Sequence, residues 1–149
     1  MIELTFHLTS PQTPEQWRDY YALRWRILRA PWGQPPGSER DDFEDAAWHV
    51  MAVAGQDHVV GVGRLHKLAD RCAQIRYMAV ADDYQGQGIG GLILQALEAK
   101  AMAWQIKEIV LNARRSVMKF YSRSGYSETA EGELLFGEIA HVRMQKIIT

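Results

Sequence analysis

Gly86, Gly88, Gly90 and Gly91 fall within six positions of the string DDYQGQGIGGLI, which runs on into LILQALEAKA. Bare backbone at the start of an amphipathic helix lets main-chain N–H groups close around an anion, above all a phosphate. A second cluster is acidic. Glu39, Asp41, Asp42, Glu44 and Asp45 crowd GSERDDFEDAAW against a single Arg40. Such a group can raise the local concentration of a cation, or it can oppose the dipole of a helix capped at Ser38. The five histidines lack the paired spacing of a zinc site, so no metal is expected. Cys72, the one cysteine, has no activating partner in sequence and cannot form an internal disulfide.

The elements around the glycines decide whose phosphate they suit. Gly86, Gly88 and Gly91 match the dinucleotide fingerprint G-x-G-x-x-G. That fingerprint normally sits in the first strand-to-helix turn of a repeated βαβ series. Here WHVMAVAG and HVVGVGRLH come first, split by a hairpin signal at Gly55–His58, and AQIRYMAV follows as a further strand. The strand after the glycines, EIVLN, ends in LNARR without the acid that a ribose requires, although Arg114 and Arg115 suit a 2′-phosphate. An NADP-dependent oxidoreductase therefore stays as an alternative. A P-loop does not, because no Gly-Lys-Ser/Thr is present.

The rest of the chain frames this unit. IELTFHLT alternates as a first strand from Ile2. TPEQ starts a helix with Thr13 as N-cap, Pro14 at the first helical position and Gln16 closing a capping box. Trp17, Tyr21, Trp25 and Leu28 give that helix an apolar face. APWGQPPG ends it, and Ser-x-x-Asp in SERD predicts a second short helix. A helix from Ile89 to Trp104 follows the glycines, SVMKFYSRSGY is a helix stopping at a left-handed Gly125, and HVRMQKII is the last strand. With 149 residues, 47% of them hydrophobic, the chain fits one domain with an adequate core. Its net charge of -1 gives no reason for a nucleic-acid partner. No apolar run reaches the roughly 18 residues of a membrane span, and no leader precedes Ile2. With a lone cysteine, the expected setting is the cytoplasm.

YQGQGIGGLIL resembles the Gln/Arg-x-x-Gly-x-Gly/Ala motif of the GNAT superfamily, the acyl-CoA-dependent N-acetyltransferases. Gln85, Gly88 and Gly90 stand in its diagnostic places. IRYMAV resembles the family's fourth strand, and LNARRSVMKFYSRSGY the fifth strand and following helix, so the likeness in motif covers residues 73–126. GSERD and LFGEIAH are similar to a bacterial group in which this domain is sometimes fused to a thioesterase-like one. The resemblance implies an α/β (α+β) fold in one domain spanning residues 1–149. Its central sheet would be mixed, mostly antiparallel, of about six to seven strands flanked by about four helices, and splayed between strands 4 and 5. It implies direct acetyl transfer from acetyl-CoA, as cosubstrate, to an amine of a small molecule or peptide. It implies no metal and is compatible with a homodimer.

By the same resemblance, Gln85, Gly86, Gln87, Gly88, Ile89, Gly90 and Gly91 line the turn that takes the CoA pyrophosphate. Met78, Ala79 and Val80 meet the pantetheine arm, with the Met78 N–H polarising the thioester carbonyl. Tyr121 falls where the family's general-acid tyrosine lies and would protonate the departing thiolate. By periodicity alone, Val117, Phe120 and Tyr121 form the buried stripe of a helix. Many members carry asparagine seven positions before this tyrosine; here that position is Arg114, with Asn112 nearby as a cofactor contact. The base is open. Gln74 stands where several members have a strand-4 glutamate, and Glu44, His49, His66 and Glu138 are candidate replacements. An amide takes no proton, so a non-catalytic acyl-CoA-binding module of the same fold is a further alternative.

Overall fold

The structure, a computed structural model, describes residues 5–148. Strand β1 (Phe6–Thr9) covers the end of the first expected strand, whose residues 2–4 lie outside the described residues. Helix α1 (Pro14–Leu28) starts as its capping box dictates. The Thr13 Oγ1 accepts from the Gln16 N–H at 3.2 Å, and the Gln16 Oε1 accepts from the Thr13 N–H at 3.1 Å. Its buried face is not the aromatic stripe. Tyr20, Leu23 and Arg24 are buried, whereas Trp17, Tyr21, Trp25 and Leu28 are half-buried. Hydrophobic periodicity discounts an arginine, yet Arg24 points inward because acids wait for it there.

Three antiparallel strands follow: β2 (Trp48–Ala54), β3 (His58–Ala69) and β4 (Cys72–Val80). The glycine turn leads into α2 (Ile89–Ala103), and β5 (Glu108–Arg114) returns parallel to β4. Helix α3 (Met118–Arg123), β6 (Ser127–Leu135) and β7 (Ile139–Ile147) complete the chain. The seven strands form one sheet in the order β1-β2-β3-β4-β5-β7-β6. Strand β6 is absent from the sequence reading, and α3 is shorter than expected. It stops before Gly125, whose φ of +94° confirms the left-handed cap.

The second short helix expected from SERD does not form. Residues 38–47 make a chain of turns in which the acids reach arginines rather than cap a helix. Among the described residues there are therefore three α-helices, against the expectation of about four.

Alternate residues of β3 face opposite layers. Gly63 lies under α2, where an added Cβ would stand 2.7 Å from Ile93 Cγ2, so the missing side chain lets the helix approach the sheet. Arg64 points the other way, towards α1 and its ion pairs with Asp41 and Glu44. The α2 face packs Ile89, Ile93, Leu94 and Leu97 into the core. No helix among the described residues is long and apolar enough to cross a membrane.

Candidate active site

Strands β4 and β5 pair only at Cys72–Glu108, Ala73–Ile109 and Gln74–Val110. Beyond Gln74 they separate, and the edge of β4 is left without a strand partner on that side. Opposite this gap, the β3–β4 register slips between Val62 and Arg64, leaving Tyr77 and Met78 facing the single Gly63. This is a β-bulge, and Tyr77 sits in it with φ +60°, a conformation uncommon for a non-glycine residue.

The separation opens a cavity of about 670 Å³. Met78, Ala79, Val80, Asn112 and Tyr121 line it, as do Gln85, Gly86, Gly88, Ile89, Gly90 and Gly91 from the glycine turn. Of the cosubstrate contacts expected from sequence, Gln87 alone is not on the wall; it is exposed.

The glycine turn presents backbone. Gly86 and Gly88 have φ of +78° and +83°, which only glycine adopts without strain, and nothing lies within 4 Å of where their Cβ atoms would be. Gly88 is the N-cap of α2, no side chain caps the helix, and its first turn holds no acid. The first intrahelical bond runs from the Leu92 N–H to the Gly88 carbonyl at 3.1 Å, so the N–H groups of Ile89, Gly90 and Gly91 have no partner within the helix. Gln85 braces the turn, its Nε2 donating to the Val80 carbonyl at 3.2 Å and to Asp82 Oδ1 at 3.3 Å.

Across the opening, the Tyr121 hydroxyl donates to Met78 Sδ at 3.5 Å. Tyr121 is buried, and burial pushes its phenol up to about 12 despite the opposing charge of Arg114. At neutral pH it carries its proton.

The candidate bases fare differently. Glu44 is engaged by two guanidiniums, Arg24 Nη1 at 2.6 Å and Arg64 Nη1 at 2.7 Å. His49 is buried with Nδ1 2.8 Å from the Tyr20 hydroxyl and Nε2 2.8 Å from the Glu44 carbonyl, and burial lowers its pKa. His66 accepts from Arg64 Nη2 at Nδ1, 3.0 Å away; burial, then the Arg64 charge, hold it down to about 4. None of these three lines the cavity, and neither does Glu138.

Instead the cavity wall includes His141 and Glu133, which sequence reasoning missed, with Arg29, Arg76, Tyr77 and Phe120. The His141 Nδ1 lies 2.9 Å from the Ile139 carbonyl and 3.2 Å from the Glu133 carbonyl. Two carbonyl acceptors at Nδ1 favour the tautomer with a proton there, in which the Nε2 nitrogen carries the lone pair. No local motif marks His141, because its place is set by pairing with Arg114 across β5 and β7. Among the described residues, no three or more His, Cys, Asp or Glu side chains gather as a metal site.

A bulged fourth strand, a fifth splayed from it and an uncapped glycine turn between them together frame one open cleft in the sheet. The model of the Acetyltransferase (GNAT) family matches residues 17–126, and the chain belongs to that family. It is 29% identical to the uncharacterized N-acetyltransferase YjcF of Bacillus subtilis over 89% of this chain and 93% of that one. Its fold matches an aminoglycoside 6'-N-acetyltransferase complexed with coenzyme A, with a TM-score of 0.81 at 15% identity, covering 96% of this chain and 97% of the other. A GNAT family acetyltransferase from Elizabethkingia anophelis with acetyl-CoA bound matches at 0.73 and 18% identity, over 97% and 98%.

Proposed function

We propose that the protein is an acetyl-CoA-dependent N-acetyltransferase that passes the acetyl group directly to an amine. The observation that carries this reading is one cavity joining the uncapped glycine turn to the Tyr121 hydroxyl, 3.5 Å from Met78 Sδ in the β4 bulge. The family membership and the bound CoA and acetyl-CoA in the two structural neighbours support it.

The residues present fit the cosubstrate. The N–H groups from Gly86 to Gly91 take the pyrophosphate, and no Cβ at Gly91 obstructs it. The unpaired edge of β4 beyond Gln74 takes the pantetheine arm as an added strand, with Val80 pairing to its amide. Acetyl-CoA supplies an activated thioester. The Met78 N–H polarises the thioester carbonyl as oxyanion charge develops, a contribution of about 3 kcal/mol for donors of this kind. His141 Nε2 removes a proton from the acceptor ammonium, directly or through a water held by Gln74. The freed amine lone pair then forms the C–N bond. As the C–S bond breaks, Tyr121 gives its proton to the leaving sulfur and regains one from the collapsing ammonium adduct. Amide and CoA thiol leave, and one proton passes to solvent through His141. The lone Cys72 fits a reducing compartment, and we assign the reaction to the cytoplasm.

Gln74 in place of a carboxylate favours a second reading, an acyl-CoA-binding module without turnover. CoA titration by calorimetry, paired with thiol release from acetyl-CoA across an amine panel, separates the two. Transfer predicts binding with amine-dependent release; binding with no release from any amine supports the module; no binding removes both.

A further inference from the structure

We propose that the acceptor amine carries an anionic group, a carboxylate or a phosphate, and that Arg29 and Arg114 hold it. The inference rests on the transferase reading and adds its substrate class.

Charge pairing in the α1 layer sets the argument. Buried guanidiniums need partners, and two of them have carboxylates. Arg24 meets Glu44 at 2.6 Å, while Arg64 meets Asp41 at 2.6 and 2.9 Å and Glu44 at 2.7 Å. The half-exposed Arg76 also reaches Asp41, at 2.7 Å. Arg29 and Arg114 break this pattern. Arg29 is only 7% exposed and Arg114 is half-buried, yet among the described residues neither has a carboxylate within ion-pair distance. Both line the cavity.

Their bonds go to carbonyls. Arg29 Nε donates to the Ser38 carbonyl at 3.1 Å and Nη1 to the Leu28 carbonyl at 3.0 Å; Arg114 Nη2 reaches the same Leu28 oxygen at 3.5 Å. Two cations are thus gathered on one oxygen. Aromatic faces hold them in place, Trp32 at 4.5 Å from the Arg114 guanidinium and Phe136 at 5.5 Å from that of Arg29. Burial first, and then Arg29, lowers the pKa of Arg114, as expected of a cation lacking its counter-ion. A planar carboxylate or a phosphate suits this pincer.

The glycine turn opens α2, which packs on the sheet face that Gly63 presents, whereas the two arginines meet at the end of α1. The CoA pyrophosphate is therefore assigned to the turn and the arginine pair to the acceptor. None of the acids of GSERDDFEDAAW lines this cavity, and Asp41 and Glu44 are spent on arginines. Glu133, on the same wall and in no ion pair with either arginine, would face the ammonium end of a zwitterion.

The test uses acetylated products as probes on CoA-saturated protein. N-acetylglycine and N-acetyl-aminomethylphosphonate are titrated by calorimetry beside N-acetylglycinamide and N-acetylputrescine. The proposal expects at least about ten-fold tighter binding of an acid than of the amide or the polyamine product. The stronger of the two acids identifies carboxylate or phosphate as the source. Arg114→Gln should erase the preference while CoA affinity stays unchanged, and Arg29→Lys, which keeps the charge where Arg29→Gln risks misfolding, should retain part of it. Equal binding of acid and amide, binding of neither, or an undiminished preference in Arg114→Gln overturns the proposal. Failure of the protein to bind CoA at all would instead remove the transferase reading, and the same probes on the free protein would then decide the anion site by itself.

Discussion

His66 shows how a single side chain ties charge to stability. It is 2% exposed, stacked on Phe43 with ring centroids 4.5 Å apart, and bonded to a guanidinium that never loses its charge. Burial and Arg64 hold its pKa at about 4 in the folded state, against about 6.5 in the unfolded chain. Between these values the unfolded chain binds a proton that the folded one refuses. Stability is therefore full above pH about 6.5 and falls as the pH drops towards 4, by up to about 1.4 kcal/mol per pH unit. His49, lowered by burial, adds in the same direction. Urea unfolding at pH 7 and pH 5 should show the loss, and His66→Gln should flatten the slope by about one proton. Asp41 acts only below that window. Burial alone would raise it, but hydrogen bonds from Arg64 and the Phe43 N–H hold it near 2, so its contribution disappears only as the pH falls below about 4. In the proposed reaction the Tyr121 proton is the one given to the leaving sulfur. Tyr121→Phe should lower kcat roughly 100-fold with little change in the KM for acetyl-CoA, since only the hydroxyl is removed. Steady-state rates on the folded variant check this, and an unchanged kcat would make the hydroxyl structural.

At the scale of elements, the contacts proposed for the cosubstrate in the turn between β4 and α2 are made by backbone. Gly88→Val would force a β-branched residue to φ +83° and place a side chain where the phosphate is proposed to bind. CoA affinity should fall at least about ten-fold by calorimetry, while far-UV circular dichroism keeps its folded signature. This turn was legible in sequence because its residues are contiguous and each glycine has a local reason. The strands that flank it, β2 to β5, were legible from their apolar runs. Strand β6 was not. Seven of its nine residues are exposed, and Ser127, Glu128, Thr129, Glu131 and Glu133 leave no alternating apolar face to read. It exists because β7 offers an edge to pair with. SERD misled for the complementary reason: a local capping signal lost to long-range ion pairs, with Asp41 and Glu44 drawn onto Arg64. The end of the cavity proposed for the acceptor was hidden more thoroughly. Arg29, Arg76, Arg114 and His141 come from four separate elements, and only the sheet order brings them to one wall.

The whole molecule is built on one sheet whose two halves share little pairing at its middle. Strands β1 to β4 form one half and β5, β7 and β6 the other, and the two halves share three residue pairs, Cys72–Glu108 to Gln74–Val110. Helix α2 crosses between them, and its buried Ile93 and Leu97 pack on the first half. The Tyr126 hydroxyl, 3.0 Å from Glu98 Oε2, and Lys146 Nζ, 2.8 Å from the same oxygen, tie α2 to the second. A ligand that lies along the open edges of β4 and β5 would bridge both halves, so its binding should stabilise the whole fold rather than one loop. At a CoA concentration of about 100 Kd, linkage gives about 2.7 kcal/mol. For a chain of this size that corresponds to a rise in Tm of about 5–10 °C. Differential scanning calorimetry across a CoA series checks the magnitude, and Gly88→Val should lose the rise in proportion to its weakened affinity. Hydrogen exchange checks the coupling. Amides of β5 and β7 should slow together with those of β4 when CoA is bound, although none of the cavity-lining glycines belongs to those strands. Protection confined to the turn from Gln85 to Gly91 would mean that the halves are held together without the ligand, and that the splay is a fixed slot and not a joint.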